Sequence, residues 1–329
     1  MSKYCLGLDI GYSNLKMVMG EVGGRPKEII LPAGAGPASK MPTSMSFGED
    51  NPAIHVLLDD EAWAAGVPAN YLENWERDLH ADYPKTNNYR ALFYAALLRT
   101  GRDVIDTLVT GLPVDQYLQF ERRDSLAEAL CGHHRVSAKR SVEVKRVEVL
   151  PQPVGAYMHL VSTSEPDLIE VMEEGLVVVL DPGYFSVDWV AMQGGTLRKG
   201  SSGTSTKAMS VVLEEAARLV IEDRGDGACT KEKIENALRS NKDYVLAFGD
   251  RVLISEYVSR AIATVAPQAM TLMRQSMRGD VQGADVVLLT GGGGGAYADA
   301  ARELFPKSRV VVPKNPVLAN AQGFYFYGS

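Results

Sequence analysis

Two short stretches place an acidic residue and a glycine at the end of an apolar run, Asp9-Ile10-Gly11-Tyr12 and Asp181-Pro182-Gly183-Tyr184. Carboxylates in such turns suit a hydrated Mg2+, which takes one or two carboxylates and completes its shell with phosphate oxygens and water. A third stretch, the glycines at 291–295, follows the apolar Asp285-Val286-Val287-Leu288-Leu289-Thr290. A glycine turn between a strand and a helix lets backbone N–H groups approach an anion, and the helix N-terminus adds a favourable dipole. Two acidic turns could clasp a polyphosphate from two sides. The plainer alternatives are an Asx hydrogen bond inside each turn and a tight helix entry at the glycines. The glycine run lacks the Lys-Ser/Thr of a P-loop, and it satisfies dinucleotide spacing trivially.

The elements that must position these residues are legible around them. Apolar run, turn, apolar run over 4–19 and again over 176–192 predicts two β-hairpins. Aligned, DIGYSNLK and DPGYFSVD coincide at Asp9/Asp181, Gly11/Gly183 and Tyr12/Tyr184, with Leu15/Val187 behind them, at an offset of 172 residues. A match repeated after half the chain implies two related halves, each completing its hairpin with its own sheet and helices. The expected fold is therefore a duplicated α/β protein.

Between the hairpins, the Pro- and Gly-rich 31–52 reads as loop. Residues 62–98, with Trp63 and Trp75, read as a small inserted subdomain. A strand over 104–113, a helix over 117–130 and one half-buried strand over 142–150 follow. Helical spacing recurs from Ala208 to Val220 and from Ile254 to Ala269, where Pro267 should kink or interrupt the helix. A last helix is expected over 296–304.

Composition narrows the class. The chain has 329 residues, 34 Lys+Arg against 41 Asp+Glu, a net charge of −7 and 46% hydrophobic residues. That length and apolar share predict a soluble protein of about two domains, and the acidic balance disfavours a general nucleic-acid coat. Cys5, Cys131 and Cys229 are widely spaced, with no CxxC, against both a disulfide framework and a cysteine zinc site. No leader pattern and no long uncharged apolar run is present, so neither secretion nor membrane insertion is expected. His133-His134 and the basic residues Lys139, Arg140, Lys145 and Arg146 read as solvated surface rather than as a metal site or a DNA patch.

At these residues the chain resembles the actin, heat-shock-70 and sugar-kinase superfamily. The stretch Leu8 to Lys16 is similar to its first phosphate motif, Leu180 to Asp188 to its second, and Leu288 to Ala296 to its adenosine motif. Val149 to Tyr157 and Asn315 to Phe324 resemble its two inter-domain helices. Gly-Tyr after the first Asp, Asp-Pro-Gly-Tyr-Phe, Gly111-Leu112-Pro113 and the Asn-Pro…Ala-Asn-Ala-Gln-Gly ending are most similar to plasmid-segregation actin-like ATPases of the ParM/StbA type. The resemblance implies two ribonuclease-H-like domains around a nucleotide cleft. They would span 1–160, with an insert at about 35–98, and 161–314, with a helical subdomain at about 205–280; 315–329 would return to the first.

By the same resemblance the ligands are ATP or ADP with Mg2+, the metal held by Asp9 and Asp181. Gly11, Tyr12, Ser13, Asn14, Gly183, Tyr184 and Phe185 would embrace the β- and γ-phosphates, and Lys16 would contact phosphate. Gly291, Gly292 and Gly293 would lie against adenosine and α-phosphate. Gln152 would orient the attacking water, with Asp188 near it. Tyr12 stands where actin carries a small serine, so its ring must point away from phosphate, leaving Ser13 to supply the hydroxyl; Phe185 likewise replaces a small residue. The implied protein is cytoplasmic, polymerises with itself, and reaches plasmid DNA through an adaptor protein with no direct nucleic-acid or membrane contact. A small-metabolite kinase shares this cleft, but no acidic base beside an acceptor pocket is recognisable. The chain is also too short for a chaperone's peptide-binding domain, and it offers no terminal amphipathic helix for membrane tethering.

Overall fold

The computed structural model describes residues 2–41, 53–68, 71–73, 77–277 and 283–329; Trp75 and the 42–52 part of the expected loop lie outside the described residues. The chain divides into two compact units, Met1–Ile169 with Val317–Ser329, and Glu170–Pro316.

The first unit contains β1 (Tyr4–Ile10), β2 (Asn14–Glu21), β3 (Lys27–Pro32), β4 (Gly34–Pro37), β5 (Ile54–Leu58), β6 (Glu61–Val67), β7 (Val104–Ile105), β8 (Thr107–Leu112), β9 (Gly132–Ser137), β10 (Arg140–Val144) and β11 (Val147–Pro151). Its helices are α1 (Asn87–Thr100), α2 (Val114–Tyr117), α3 (Phe120–Leu130) and α4 (Gln152–Thr163), while α5 (Pro166–Glu174) runs across the boundary between the units. The main sheet has the order β3-β2-β1-β8-β11. Its β1–β2–β3 part is antiparallel, whereas β8 and β11 run parallel to β1.

The second unit contains β12 (Leu176–Pro182), β13 (Val187–Gln193), β14 (Thr196–Leu197), β15 (Gly203–Ser205), β16 (Tyr244–Ala247), β17 (Asp250–Leu253), β18 (Val286–Leu289) and β19 (Arg309–Val311). Its helices are α6 (Met209–Arg224), α7 (Lys231–Arg239), α8 (Ser255–Met277) and α9 (Ala298–Leu304). The sheet order β14-β13-β12-β18-β19 repeats that of the first unit, with the same strand directions. Every residue of β12 is buried, as a central strand covered on both faces requires. The repeated Asp-Gly-Tyr thus marks the same hairpin of the same topology in each unit, and the duplicated α/β expectation holds.

Local chemistry explains the boundaries. The Thr86 hydroxyl caps α1 by accepting from Tyr89 N, and Gly101 ends the helix at φ 70°, in the left-handed region that favours glycine. The C-terminal helix α10 (Ala319–Gly328) belongs to the first unit and packs on β1, β2, β8 and α4. Glycine makes the close approaches. A Cβ on Gly7 would meet Tyr325 N at 2.5 Å, and one on Gly155 would lie 2.8 Å from Asn320 Cα.

Several sequence expectations need correction. The segment 31–52 is not loop throughout: β3 runs to Pro32 and β4 follows, paired with β6. The alternation over 142–150 belongs to two strands in different sheets, β10 beside β9 and β7, and β11 beside β8. The alternation changes phase at the break: Val142 and Val144 are buried in β10, Lys145 and Arg146 are both exposed, and Val149 and Pro151 are buried in β11. The adjacent charges Lys145-Arg146 were the signal that one strand had ended. The 104–113 strand divides into β7 and β8, and the 117–130 helix is α3, which starts at Phe120, with the short α2 ending at Tyr117. Pro267 does not interrupt α8. The carbonyl that its missing N–H orphans belongs to Ala263, an exposed position open to water.

His134, on β9, is 8% exposed, and its Nε2 lies 3.0 Å from Leu130 O. Burial lowers its pKa from the ordinary 6.5. As pH falls through 6.5, the unfolded chain binds a proton that the folded chain resists, so stability drops on acidification. His159, also lowered by burial, adds to the effect. The loss in urea midpoint from pH 7.5 to 5.5 should shrink in His134→Gln relative to the parent; an unchanged loss would remove His134 as a contributor.

Candidate nucleotide site

Each unit presents one turn with the same closure. In the first, Gly11 N donates to Asn14 O at 2.9 Å; in the second, Gly183 N donates to Ser186 O at 2.8 Å. The strands leading into these turns hold the two aspartates at corresponding register positions, Asp9 opposite Lys16 and Asp181 opposite Asp188. Directly opposed residues on antiparallel strands share a face with Cβ atoms about 5 Å apart. The duplicated hairpin therefore carries an opposite-charge pair in one unit and a like-charge pair in the other.

In the first unit, Lys16 Nζ lies 2.8 Å from Asp9 Oδ2, with the Asp9 side chain 1% exposed. Gln152 Nε2 donates to Asp9 Oδ1 at 3.3 Å. Three of the residues singled out in the sequence, 143 positions apart at the extreme, thus meet on one carboxylate. Gln152 reaches it from the first turn of α4, whose N-terminus follows directly from β11. The Tyr12 ring turns away from this group: its hydroxyl donates to His80 O at 3.0 Å, and the ring stacks on Tyr83 at 4.5 Å. Lys16 Nζ would be 3.8 Å from a Cβ on Gly11, so the ammonium also lies beside the turn.

In the second unit, Asp188 is buried and accepts from two hydroxyls, Ser186 Oγ at 2.6 Å and Thr204 Oγ1 at 2.5 Å. These hydrogen bonds stabilise a carboxylate that faces a second carboxylate across the ladder. The glycine run meets the turn. Gly293 N donates to Pro182 O at 2.8 Å, and Gly291, at φ 72°, lies where a Cβ would fall on Asp181 Oδ1. Gly291 N and Thr290 Oγ1 both donate to Pro316 O, at 2.9 and 3.0 Å. The turn also anchors α6, through Met209 N to Gly183 O at 3.2 Å and Ser210 N to Tyr184 O at 2.8 Å. Gly292 has open space where a side chain would stand.

Sequence reasoning missed the two hydroxyls that hold Asp188. Ser186 was within reach of inspection, since it stands two residues before Asp188 in the same turn. Thr204 carries no local signal; it is opposite Asp188 only because β15 pairs with β13. Among the described residues no group of three or more His, Cys, Asp or Glu could hold a metal ion. The donors present are carboxylates and hydroxyls, which fits Mg2+ bound by one or two carboxylates with water and phosphate completing its shell.

Comparison with known proteins agrees with this architecture. Residues 7–155 match the family described as "Actin like proteins N terminal domain". No curated protein matches in sequence. Among solved structures, the archaeal actin homologue Ta0583 in complex with ADP superposes with a TM-score of 0.75 at 19% identity, over 99% of this chain and 98% of that one. A non-polymerisable quadruple mutant of pCBH ParM gives 0.75 at 18% identity, covering 99% of each chain. A ParM from a 15-stranded Clostridium botulinum filament gives 0.76 at 16% identity, over 100% of this chain and 99% of that one.

The chain has the fold of the actin homologues, and the family match lies within its first unit. Its likeness in fold to the ParM and archaeal actin homologues extends over the whole chain. Among the described residues no helix is long and apolar enough to cross a membrane.

Proposed function

We propose that this protein is an actin-like ATPase that binds ATP with Mg2+, polymerises with itself in the cytoplasm, and uses hydrolysis to time filament turnover, serving plasmid segregation through a DNA-bound adaptor protein. The observation that carries the reading is the duplicated turn: one topology, twice, each copy ending in an aspartate beside a glycine-closed loop. The ADP bound to the archaeal homologue and the filament formed by the ParM homologue support it.

On this reading the backbone N–H groups of Gly11 to Asn14 and of Gly183 to Phe185 receive the β- and γ-phosphates, and Lys16 neutralises phosphate charge. Ser13 supplies the hydroxyl at the first turn, because the Tyr12 ring is engaged elsewhere. Asp9 and Asp181 hold the metal through its water shell; when bound, Mg2+ neutralises charge developing on the phosphates. Gly291 to Gly293 lie against adenosine and the α-phosphate, with open space at Gly292. Phosphoryl transfer asks for positioning and electrostatics rather than covalent chemistry. Gln152 orients the attacking water by its amide, whose nitrogen is already turned to Asp9, and Asp188 lies near that water.

Sedimentation and light scattering of the full chain with ATP, with ADP and without nucleotide test the proposal. Pelletable polymer that forms with ATP and decays as phosphate is released is the expected result. Material that stays in the supernatant at high concentration under all three conditions would end the filament reading. ATP consumption only on adding a sugar, again without polymer, would convert the protein into a kinase.

A further inference from the structure

The first unit holds a cavity of about 270 Å³ that the nucleotide reading does not use. Its walls come from α1, α2, α3 and β9, with Tyr89, Phe93, Tyr94 and His134 among the lining residues. An apolar cavity of about 150 Å³ accepts one benzene ring, so a volume of about 270 Å³ suits a two-ring body. It is smaller than the pockets that take drug-sized ligands.

The polar groups around it are specific. Gln116 lines the cavity, itself 9% exposed. The Nε of Arg90, another lining residue, is buried without an acceptor. Buried donors left unpaired cost free energy that a bound acceptor recovers. Lys85, Arg90 and Arg122 line the cavity as three cations. Against them stand two carboxylates: Asp59 on Arg90, and Asp82 shared by Arg122 at 3.0 Å and Lys85 at 3.8 Å. The Lys85 side chain is 65% exposed and its contact is the looser one, leaving it free to meet an incoming anion. An aromatic-walled cavity with an unpaired donor and one surplus positive charge selects a flat acid.

Behind the cavity an aromatic stack leads to the first turn. Tyr89 meets Tyr83 edge-on at 5.4 Å, and Tyr83 stacks on Tyr12 at 4.5 Å. Tyr12 is itself a turn residue, so a ligand pressing on Tyr89 acts on a close-packed line of rings that ends in the Gly11–Asn14 loop.

We propose that this cavity is a binding site for a small, flat aromatic carboxylate, and that its occupancy tightens the first turn through Tyr89, Tyr83 and Tyr12. The probe is 2-naphthoate, with neutral 2-naphthalenemethanol as its control, both titrated into the full chain without nucleotide and followed by ligand-observed NMR and calorimetry. Naphthoate should bind with a Kd of about 0.1 mM, the range for a ligand of its size, and at least about fivefold more tightly than the alcohol, as expected for one ion pair.

Ala129→Phe, which places a ring at an exposed lining position, should abolish binding while thermal melting stays as in the parent. Lys85→Ala should weaken naphthoate about two- to fivefold and leave the alcohol unchanged. Amide hydrogen exchange in the 11–14 loop should slow on saturation with naphthoate. No saturable binding to several millimolar, or binding undiminished in a folded Ala129→Phe protein, overturns the site. Unchanged exchange in the loop at saturation overturns the link to the turn. Because no readout uses ATP or polymer, failure here is distinguishable from failure of the ATPase reading.

Discussion

Gln152→Ala should release phosphate from ATP about 100-fold more slowly than the parent while its nucleotide affinity changes by no more than a few-fold; a positioned proton-handling or orienting group contributes about this much to a rate. The asymmetry follows from where Gln152 stands. Its amide nitrogen is spent on Asp9 Oδ1 at 3.3 Å, which fixes the side chain and leaves the carbonyl oxygen to orient a water. Truncation removes that acceptor and leaves the two turns, Lys16 and the glycine run intact, so ground-state binding survives. Single-turnover hydrolysis beside an equilibrium titration with a fluorescent nucleotide separates the two quantities. Hydrolysis at the parent rate with normal binding would take Gln152 out of the role. Gln152→Glu is a useful companion, since a second carboxylate opposite Asp9 should weaken nucleotide binding as well, through like-charge repulsion.

Gly323→Val should cost about 3 kcal/mol of stability, at the upper end of what overpacking a close contact does. Gly323 lies on α10 where that helix crosses α4, and a Cβ there would fall on the Gly155 carbonyl and meet His159 N at 2.9 Å. Those atoms are backbone, so no side-chain rotation relieves the clash; the helices must separate. Their separation would also withdraw Tyr325 and Ala321 from the small core that they form with Cys5 and Val18. Burial pushes the Cys5 thiol up to about 12, so at neutral pH it is a protonated and poorly reactive group. Its rate of labelling by a thiol reagent therefore reports opening of this contact. A lower urea midpoint together with faster Cys5 labelling is the expected result. An unfolding free energy within about 0.5 kcal/mol of the parent's, the range of neutral surface changes, would show that α4 and α10 do not depend on this crossing.

The candidate site was legible where chemistry is local in sequence. Asp9 with Gly11, Asp181 with Gly183 and the glycines after Leu289 announce themselves because a turn must be built from adjacent residues. The repeat of one such turn after 172 residues was enough to infer a duplicated sheet. What stayed hidden depends on pairing between distant strands. The split of 142–150 into β10 and β11 left only a phase shift at Lys145-Arg146 in the sequence; that the halves join different sheets is set by their partners. The Thr204 hydroxyl on Asp188, and the engagement of the Tyr12 hydroxyl with His80 O, belong to the same class.

The sequence by itself determined the two hairpins, their kinship, and the residue types at each turn, since β-turn chemistry and strand periodicity act over a few residues. Tertiary structure alone decided that Asp9 pairs with Lys16 and Gln152 while Asp181 faces Asp188. It also decided that a glycine must stand at 291 because Asp181 occupies the space a side chain would need, and that a tyrosine stack backs a cavity in the first unit. The reason is physical: hydrogen bonds, ion pairs and van der Waals contacts act over a few ångströms in space, and folding sets which residues lie within that distance.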